Sequence, residues 1–302
     1  MKFWAVSFFI LLFLLKSAYS QNIAIVSFDQ DGLIEKGFRD EILLHFPEAR
    51  FYTFGCSKDI KLLRSYYPFI KKINPDILFV NGKEALKDIY KHKIFSKTVI
   101  FHIKGNPVKE NFIADVSLPA INATGVSTEI SILEQIKVIR QLKKLRKLGV
   151  LKLEEDSEYL SSISEIRRLS AFFDFAVEEI PVSKLLKDES IINGIDVVYI
   201  PYTQIPGIET IDIINRHKIP SLAENDSYVL NQGVLLALVV DEYRSGRFAG
   251  QKAVKILKGA SAKTMPVTLI EHFMVVLNLA TAKKIEYQVP IKFLIIADKI
   301  VR

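Results

Sequence analysis

The feature that most constrains the fold of this chain is an alternation of short apolar runs with longer amphipathic runs. Between residues 23 and 103 the short runs "IAIVSF", "RFYTF", "DILFV" and "TVIFHI" alternate with stretches such as "LIEKGFRDEILLHF" and "KEALKDIYKH". Apolar runs with almost no polar interruption are typical of strands buried on both faces of a parallel sheet. The pattern therefore predicts a doubly wound α/β unit.

The same alternation starts again near Thr124. Strand-like runs "KLGVLKL", "FAVEEI", "DVVYI" and "QGVLLALVV" alternate with helix-like stretches such as "SSISEIRRLSAFF", and "DEYRSGRFAGQKAVKILKG" predicts a helix that ends at Gly259. Since 302 residues is long for one domain, we predict a second α/β unit after the first.

The last thirty residues, "FMVVLNLATAKKIEYQVPIKFLIIADKIVR", carry two more apolar stretches. Charged residues interrupt every window long enough to span a bilayer. We predict a strand and two packed helices, the second of which begins at Pro290. The apolar residues of that helix share one face at a spacing near 3.6. They are Phe293, Leu294, Ala297, Ile300 and Val301.

The N-terminal residues 1–20 resemble a secretory signal peptide. Lys2 precedes an apolar run, and Ala18 and Ser20 supply small residues before Gln21. The run of about 13 residues is short for a membrane span, although an uncleaved anchor stays open. We therefore expect secretion to the periplasm and exclude residues 1–20 from the fold.

Composition argues against several classes of protein. Cys56 is the only cysteine, so no intramolecular disulfide is possible. Without Lys2 and Lys16 the chain has 41 − 2 = 39 basic residues against 34 acidic ones, a net charge of +5. The basic residues are spread along helical stretches such as "KVIRQLKKLRKLG", which is typical of a solvated helix face. We therefore predict no nucleic-acid site.

No residue pattern indicates catalysis. Cys56 has no evident partner, and no G-x-S-x-G nucleophile elbow is present. The histidines lack metal-like spacing, which favours surface or strand-end positions. They are His45, His92, His102, His217 and His272. We therefore predict no enzyme activity, no metal and no cofactor.

Polar residues follow several of the predicted strands. In open α/β sheets ligands bind outside the carboxyl ends of the strands, where helix N-termini and free backbone groups converge. The same residues are also common as turn and cap residues, so this alternative stays open. The positions are 27–31, Asn81 and Gly82, 105–107, and 202–204.

Several stretches, mostly after residue 122, resemble the periplasmic substrate-binding components of ABC importers. They are "ATGVSTEI" (123–130), "DVVYIPYTQIPG" (196–207), "HKIPSLAEN" (217–225), "DEYRSGRFAGQKAVKILKGASAKTMPV" (241–267) and "VVLNLATAKKIEYQVPIKFLIIADKIV" (275–301). The similarity is to a group with a type I-like fold that includes receptors for tryptophan and related amino acids. Its C-terminal pattern is matched by Asn278, Ala282, Val289, Pro290, Ala297 and Asp298.

The resemblance implies two doubly wound, Rossmann-like lobes joined by a three-segment hinge, as in type I periplasmic binding proteins. We expect the crossings near 123–126, near Val240 and near 267–275. The expected lobes are residues 21–122 with 241–268, and residues 123–240 with 269–302. A small molecule would bind in the cleft between these lobes.

The chain departs from the family at three of the expected ligand positions. Where family members commonly have an Asp-Asn pair after the "YIP" strand, this chain has Thr203 and Gln204. Asn81 replaces a common Thr, and Asn106 replaces the Asp of an Asp-Pro pair. Because a carboxylate is the natural partner of a substrate ammonium group, either another acid supplies it or the solute is neutral. The acids available are Glu224, Asp226 and Asp241.

The resemblance leads us to expect a solute-binding protein that delivers a small molecule to an ABC permease in the inner membrane and works as a monomer. We expect Phe28 to stack on the solute, although a strand-end core position is equally open. The predicted ligand-binding residues are Phe28, Asp29, Asn81, Gly82, Asn106, Ser127, Thr203, Gln204, Asn225 and Asp241. Two alternatives stay open: a periplasmic sensor that presents the solute to a membrane signalling receptor, and an extracytoplasmic hydrolase or transferase.

Overall fold

The computed structural model describes residues 20–94, 97–119, 121–153, 155, 157–202, 204, 206–270 and 273–302. The predicted signal peptide falls outside the described residues except for Ser20, and Thr203 and His272 also fall outside them. No helix in the described part of the chain is long and apolar enough to cross a membrane.

The chain contains thirteen strands in its described part, in agreement with the predicted alternation. They are β1 (Asn22–Ser27), β2 (Arg50–Gly55), β3 (Ile77–Asn81), β4 (Thr98–Lys104), β5 (Ala123–Thr128), β6 (Lys147–Lys152), β7 (Ala176–Pro181), β8 (Val197–Ile200), β9 (Ser221–Ala223), β10 (Leu236–Val239), β11 (Thr268–Ile270), β12 (Met274–Asn278) and β13 (Lys299–Val301).

Twelve α-helices separate these strands in the described residues. They are α1 (Leu33–Leu43), α2 (Ile60–Ser65), α3 (Tyr67–Ile73), α4 (Lys83–Lys91), α5 (Ile132–Leu142), α6 (Ser157–Phe173), α7 (Val182–Leu185), α8 (Ile208–Arg216), α9 (Asp226–Asn231), α10 (Glu242–Leu257), α11 (Leu279–Lys284) and α12 (Ile291–Ile296). Short 3₁₀ turns lie at Glu189–Ile192 and Ala262–Thr264.

The described residues form two compact α/β units. The first contains the residues up to Glu129 together with Glu242–Ile270, and the second contains Ile130–Asp241 together with the residues from 273 onward. The prediction of two parallel-sheet lobes is confirmed. The expected placement of residues 123–128 in the second lobe differs from the structure, because β5 pairs with β4 in the first sheet.

The first unit contains a six-stranded, all-parallel sheet in the order β11-β5-β4-β3-β1-β2. Alternate residues of its strands contribute to two separate apolar clusters, one on each face. Ile23 and Ile25 of β1 lie on the face covered by α1 and α10, where they pack with Phe38 and Ala249. Both faces of this sheet are buried, as continuous apolar strands predict.

The α1–α10 contact of the first unit depends on glycine. A Cβ atom placed on Gly246 would lie 2.0 Å from the carbonyl oxygen of Ile34, and one placed on Gly37 would lie 2.1 Å from the carbonyl oxygen of Tyr243. Glu41 of α1 and Arg247 of α10 form an ion pair at the same contact. The backbones of the two helices are therefore in direct contact, and this contact holds the start of α10 against α1.

The second unit contains a seven-stranded sheet in the order β13-β12-β10-β9-β8-β6-β7. Strand β12 runs antiparallel to β10, and the other neighbouring pairs are parallel. Two apolar clusters again cover the two faces, one around Leu148 and Tyr199 and the other around Val198 and Ile211.

The C-terminal tail confirms one strand and two helices but corrects the predicted end of the second helix. Ile300 and Val301 lie in β13, where they pair with β12, and not on a helix face. Asp298 explains the change: its carboxylate accepts a hydrogen bond from Val275 N–H, and its own N–H donates to the Val275 carbonyl. These bonds turn the chain into a strand, so that only Phe293 of α12 is buried.

Candidate functional site

The carboxyl edge of the first sheet carries a row of polar side chains. Strand register places Ser27 of β1 opposite Asn81 of β3, and Asn81 opposite His102 of β4. Two residues earlier on each of these strands, the side chains on the same face are apolar: Ile25, Phe79 and Ile100. The polar row therefore continues the face covered by α1 and α10, at the end of the sheet where ligands bind in this class of fold.

Glu35 joins this row from helix α1. One carboxylate oxygen accepts hydrogen bonds from the Ser27 hydroxyl at 2.5 Å and from the Asn81 amide nitrogen at 2.8 Å. The other oxygen accepts from Gly32 N–H at 2.9 Å, at the N-cap of α1. Each partner is a donor, so both oxygens of this buried carboxylate serve as acceptors.

His102 extends the row from Asn81 to helix α10. Its Nδ1 lies 3.0 Å from the Asn81 amide oxygen, and its Nε2 lies 3.1 Å from the Ser245 hydroxyl. Burial lowers the pKa of His102 from about 6.5 to about 4, so the ring is neutral at pH 7. Of the two predicted positions, surface or strand end, His102 takes the second: it lies near the carboxyl end of β4 and only 5 % of it is exposed.

A serine beside a neutral histidine is also the arrangement of a nucleophile with its general base. Ser245, however, has no exposed surface, and its hydroxyl also lies 2.8 Å from the Glu242 carbonyl oxygen. A substrate carbonyl has no access to that oxygen atom. The pair therefore acts as part of the framework beneath Asn81.

Phe28 and Gly82 lie together at this edge. Phe28 N–H donates to the Asn81 carbonyl at 2.8 Å, and its half-buried ring packs on the core cluster of the opposite face. Gly82 has φ of +120°, and a Cβ atom there would lie 2.4 Å from the Phe28 Cβ atom. Glycine is thus required at position 82 because the backbone has a positive φ and because a side chain would overlap Phe28.

The next two predicted residues, Asn106 and Ser127, also lie near each other. The Asn106 side-chain oxygen accepts hydrogen bonds from Val108 N–H at 2.9 Å and Lys109 N–H at 3.2 Å, which forms a turn after β4. The Ser127 hydroxyl donates to the Gly105 carbonyl at 2.5 Å. Both side chains hold the β4 loop beside β5.

The two predicted aspartates of this region take separate positions. Asp29 is exposed and its carboxylate lies 3.1 Å from the Lys58 ammonium group. Asp241 is half-buried and is the last residue of the second unit before α10 begins in the first. Neither aspartate belongs to the polar row.

The carboxyl edge of the second sheet is built differently. Gln204 follows β8 and is fully buried, and its side-chain oxygen accepts a hydrogen bond from Leu153 N–H after β6. Asn225 caps α9 by accepting from Ser227 N–H at 2.9 Å. Asn225 therefore holds the start of its own helix, whereas Gln204 ties the loop after β8 to the backbone after β6.

Glu224 places a carboxylate at this second edge. The Tyr199 hydroxyl donates a hydrogen bond to Glu224, and burial together with this carboxylate raises the pKa of Tyr199 well above its usual value. Gln135 of α5 is buried nearby in the same unit, and its side-chain oxygen has no hydrogen-bond partner among the described residues. Glu224 is thus a half-buried acid held by a buried donor.

The structure brings Phe28, Asn81 and Gly82 into contact and places Asn106 and Ser127 near each other at the β4 loop, while Asp29, Gln204, Asn225 and Asp241 lie at other positions. Glu35, His102 and Ser245 were not among the predicted site residues. Glu35 stands three residues after the N-cap of α1, but Gly32 lacks the side chain of a capping box, so the sequence signal for Glu35 was incomplete. Within the described residues no cluster of His, Cys, Asp and Glu side chains is arranged to hold a metal ion.

Comparison with known proteins gives a consistent result for the whole chain. A family model described as "ABC transporter substrate binding protein" matches residues 24–301. A tyrosine-binding protein of Clostridioides difficile is 24 % identical over 268 residues, which cover 85 % of this chain and 75 % of that protein.

Two solved structures share the fold. The ABC domain in complex with L-Trp from Streptococcus pneumonia superposes with a TM-score of 0.75 at 19 % identity, covering 93 % of this chain and 100 % of that one. The ligand-free, open structure of a substrate binding protein with adhesive properties from Clostridium difficile gives a TM-score of 0.78 at 18 % identity, covering 93 % and 99 %. The predicted type I periplasmic-binding-protein fold is confirmed.

Proposed function

Because the chain belongs to the family of ABC transporter substrate binding proteins, we propose that it captures a small molecule outside the cytoplasmic membrane and delivers it to an ABC importer. The match over residues 24–301, in a family whose proteins bind substrates and are not enzymes, carries this proposal. The buried position of the His102–Ser245 pair supports binding over hydrolysis. No cofactor, metal or nucleic acid is part of the proposed activity.

The proposed location is the periplasm. The signal-peptide pattern of residues 1–20 supports export, and the proposed partner is the permease of the importer in the inner membrane. The protein would act there as a monomer, because binding and delivery of a solute require only one copy.

The proposed solute is an amino acid or a close relative of one. A tyrosine-binding relative and a related structure that contains L-Trp support this class. The departures at Thr203 and Gln204 remove the acid expected for the ammonium group. We assign that role to Glu224, because it lies at the carboxyl edge of the second sheet and accepts a hydrogen bond from buried Tyr199.

The proposed mechanism is a ligand-dependent shift in conformation. Asn81 and Phe28 would supply contacts from the first unit, while Glu224 supplies the ammonium contact from the second. A ligand favours whichever conformation allows both sets of contacts, by an amount set by its difference in affinity between conformations. The three chain segments that join the units are the proposed hinge.

Calorimetric titration with L-tyrosine and L-tryptophan tests the assigned acid. Replacing Glu224→Gln removes the negative charge but keeps the shape, so we expect at least a tenfold weaker affinity for either amino acid. Glu286→Gln changes an exposed carboxylate of the same unit and serves as the matched control, with unchanged affinity expected. Equal affinities for wild type and Glu224→Gln would contradict the assignment.

Uptake measurements test delivery to an importer. Cells that lack this gene should import the labelled solute more slowly, and the wild-type gene should restore uptake. Normal uptake combined with loss of a transcriptional response to the solute would support the sensor alternative instead.

A further inference from the structure

Asn81 is held at both ends of its side-chain amide. The nitrogen donates to Glu35 at 2.8 Å, and the oxygen lies 3.0 Å from His102 Nδ1. Asparagine side chains at loop edges commonly rotate or bond to local backbone. Here the amide is hydrogen-bonded instead by two buried side chains, Glu35 of helix α1 and His102 of strand β4.

The donors around Glu35 determine which way the amide faces. Both oxygens of Glu35 are used as acceptors, for hydrogen bonds from Ser27, Asn81 and Gly32. Turning the Asn81 amide by 180° would place its oxygen against this carboxylate. That arrangement loses a hydrogen bond and sets two acceptors against each other in a buried place, which is costly. The amide nitrogen therefore faces Glu35.

The orientation of Asn81 then determines the tautomer of His102. The Asn81 oxygen is an acceptor, so His102 Nδ1 must carry the hydrogen between them. Because the buried ring is neutral at pH 7, Nε2 is an acceptor and takes its hydrogen bond from the Ser245 hydroxyl at 3.1 Å. Glu35 is the titratable group nearest to this ring along the chain of bonds.

We propose that Glu35 and His102 are positioning residues that fix the hydrogen-bond polarity of Asn81 toward the solute. Among the described residues, one amide hydrogen and one lone pair of the amide oxygen of Asn81 have no partner. These two groups suit a solute that offers an acceptor and a donor side by side, as the carboxylate and ammonium groups of an amino acid do. The inference about the solute rests on the proposed function.

The tautomer of His102 tests the positioning without any ligand. A long-range ¹H–¹⁵N spectrum of the ¹⁵N-labelled protein at pH 7 separates a protonated ring nitrogen from a bare one, and a His102→Gln variant identifies the signals. We expect protonated Nδ1 and bare Nε2. A hydrogen on Nε2 alone, or on both nitrogens, would overturn the proposal.

A pair of variants on helix α1 tests the effect on binding. Glu35→Gln allows either orientation of Asn81, so we expect about tenfold weaker binding of L-tyrosine and L-tryptophan. Glu41→Gln removes another buried carboxylate of the same helix, one that pairs with Arg247 and not with Asn81. It should lower stability and leave the affinity unchanged.

The two experiments separate this inference from the proposed function. If wild type binds neither amino acid, the proposed solute class fails, and the His102 spectrum alone decides whether Asn81 is positioned as described. If wild type binds and Glu35→Gln binds equally well with the Nδ1–H tautomer retained, Glu35 has no positioning role. Loss of affinity in both Glu35→Gln and Glu41→Gln would show a general effect of the helix and would also overturn the proposal.

Discussion

The carboxyl edges of the two sheets hold their polar residues in different ways. In the first unit Ser27, Glu35, Asn81, His102 and Ser245 form one connected chain of hydrogen bonds. In the second unit the side chains of Gln204 and Asn225 each bond to a separate backbone N–H group. The first edge holds one connected network, whereas Gln204 and Asn225 of the second edge hold different backbone groups, the N–H of Leu153 and the N–H of Ser227.

The difference indicates how each edge meets a solute. A connected network fixes the orientation of its half-buried member, Asn81, before the solute arrives, which reduces the ordering cost of binding. Gln204 and Asn225 instead hold loop backbone, and Gln204 ties the loop after β8 to the residue after β6. We therefore expect the first edge to set the orientation of a bound solute.

The largest expected effect comes from Gly246, which allows α10 to approach α1. An alanine there would place its Cβ atom against the Ile34 carbonyl oxygen, a backbone atom that moves only with its helix. We expect Gly246→Ala to lower the free energy of unfolding by about 3 kcal/mol or more and to displace Ser245 from His102. Urea denaturation measures the first effect, and the His102 spectrum measures the second.

Gly55→Ala is the control for this change, since a Cβ atom at Gly55 meets nothing within 4 Å. It should change stability by no more than about 0.5 kcal/mol. Similar losses for the two variants would mean that the close contact of α1 with α10 does not determine the geometry of the network.

Acid should weaken the first unit through His102. The folded-state pKa of about 4 lies below the usual value of 6.5, so the unfolded chain binds a proton first as the pH falls. Stability should therefore drop between pH 6.5 and pH 4, by about 3 kcal/mol in all from this group. The free energy of unfolding of His102→Gln, measured over the same range, should have a shallower slope.

Carboxylates with lowered pKa values contribute at still lower pH. The Arg64 guanidinium beside Asp88, for example, lowers the pKa of that carboxyl, so its stabilisation is lost as the pH falls below its ordinary value. A wild-type stability that is flat from pH 6.5 to pH 4.5 would contradict the buried neutral state of His102.

Double-mutant cycles test the comparison itself. Asn81→Ala and Ser245→Ala each remove a partner of His102, so their effects on stability should be coupled by about 1 kcal/mol. Gln204→Ala and Asn225→Ala remove bonds to different backbone N–H groups, those of Leu153 and Ser227, so their effects should add to within about 0.5 kcal/mol. If the effects on stability were additive for Asn81 and Ser245, or coupled for Gln204 and Asn225, the two edges would not differ in the way described.

Asp29 should give the smallest effect. It lies at the same edge as Asn81 but outside the network, in an exposed ion pair with Lys58. We expect Asp29→Ala to change the free energy of unfolding by less than about 0.5 kcal/mol in urea denaturation. A loss of several kcal/mol would show that the network extends to this residue.

Much of the fold was predictable because local patterns determine it. The buried strands follow from continuous apolar runs, and the positions after β1, β3, β4 and β8 follow from the strand ends. Residues 299–301 were misassigned because the apolar spacing in "PIKFLIIADKIV" fits a helix face. Their pairing with β12 depends on contacts between Asp298 and Val275, which are 23 positions apart.

The network was not predictable from the sequence, for a related reason. Glu35, Asn81, His102 and Ser245 come from four elements, and His102 and Ser245 are 143 positions apart. Only the register of β1, β3 and β4, with the close approach of α10 to α1, brings them together. A histidine without neighbouring ligands in the sequence gave no sign of this role.

Binding of a solute is the central claim, and a thermal-shift screen of the purified protein tests it most directly. The screen covers amino acids, small peptides, nucleosides and sugars. A ligand that binds only the folded state adds about 2.7 kcal/mol of stability at a hundredfold excess over its dissociation constant. We predict a saturable rise in melting temperature with L-tyrosine or L-tryptophan that is lost in Asn81→Ala. No shift with any solute class would contradict the claim.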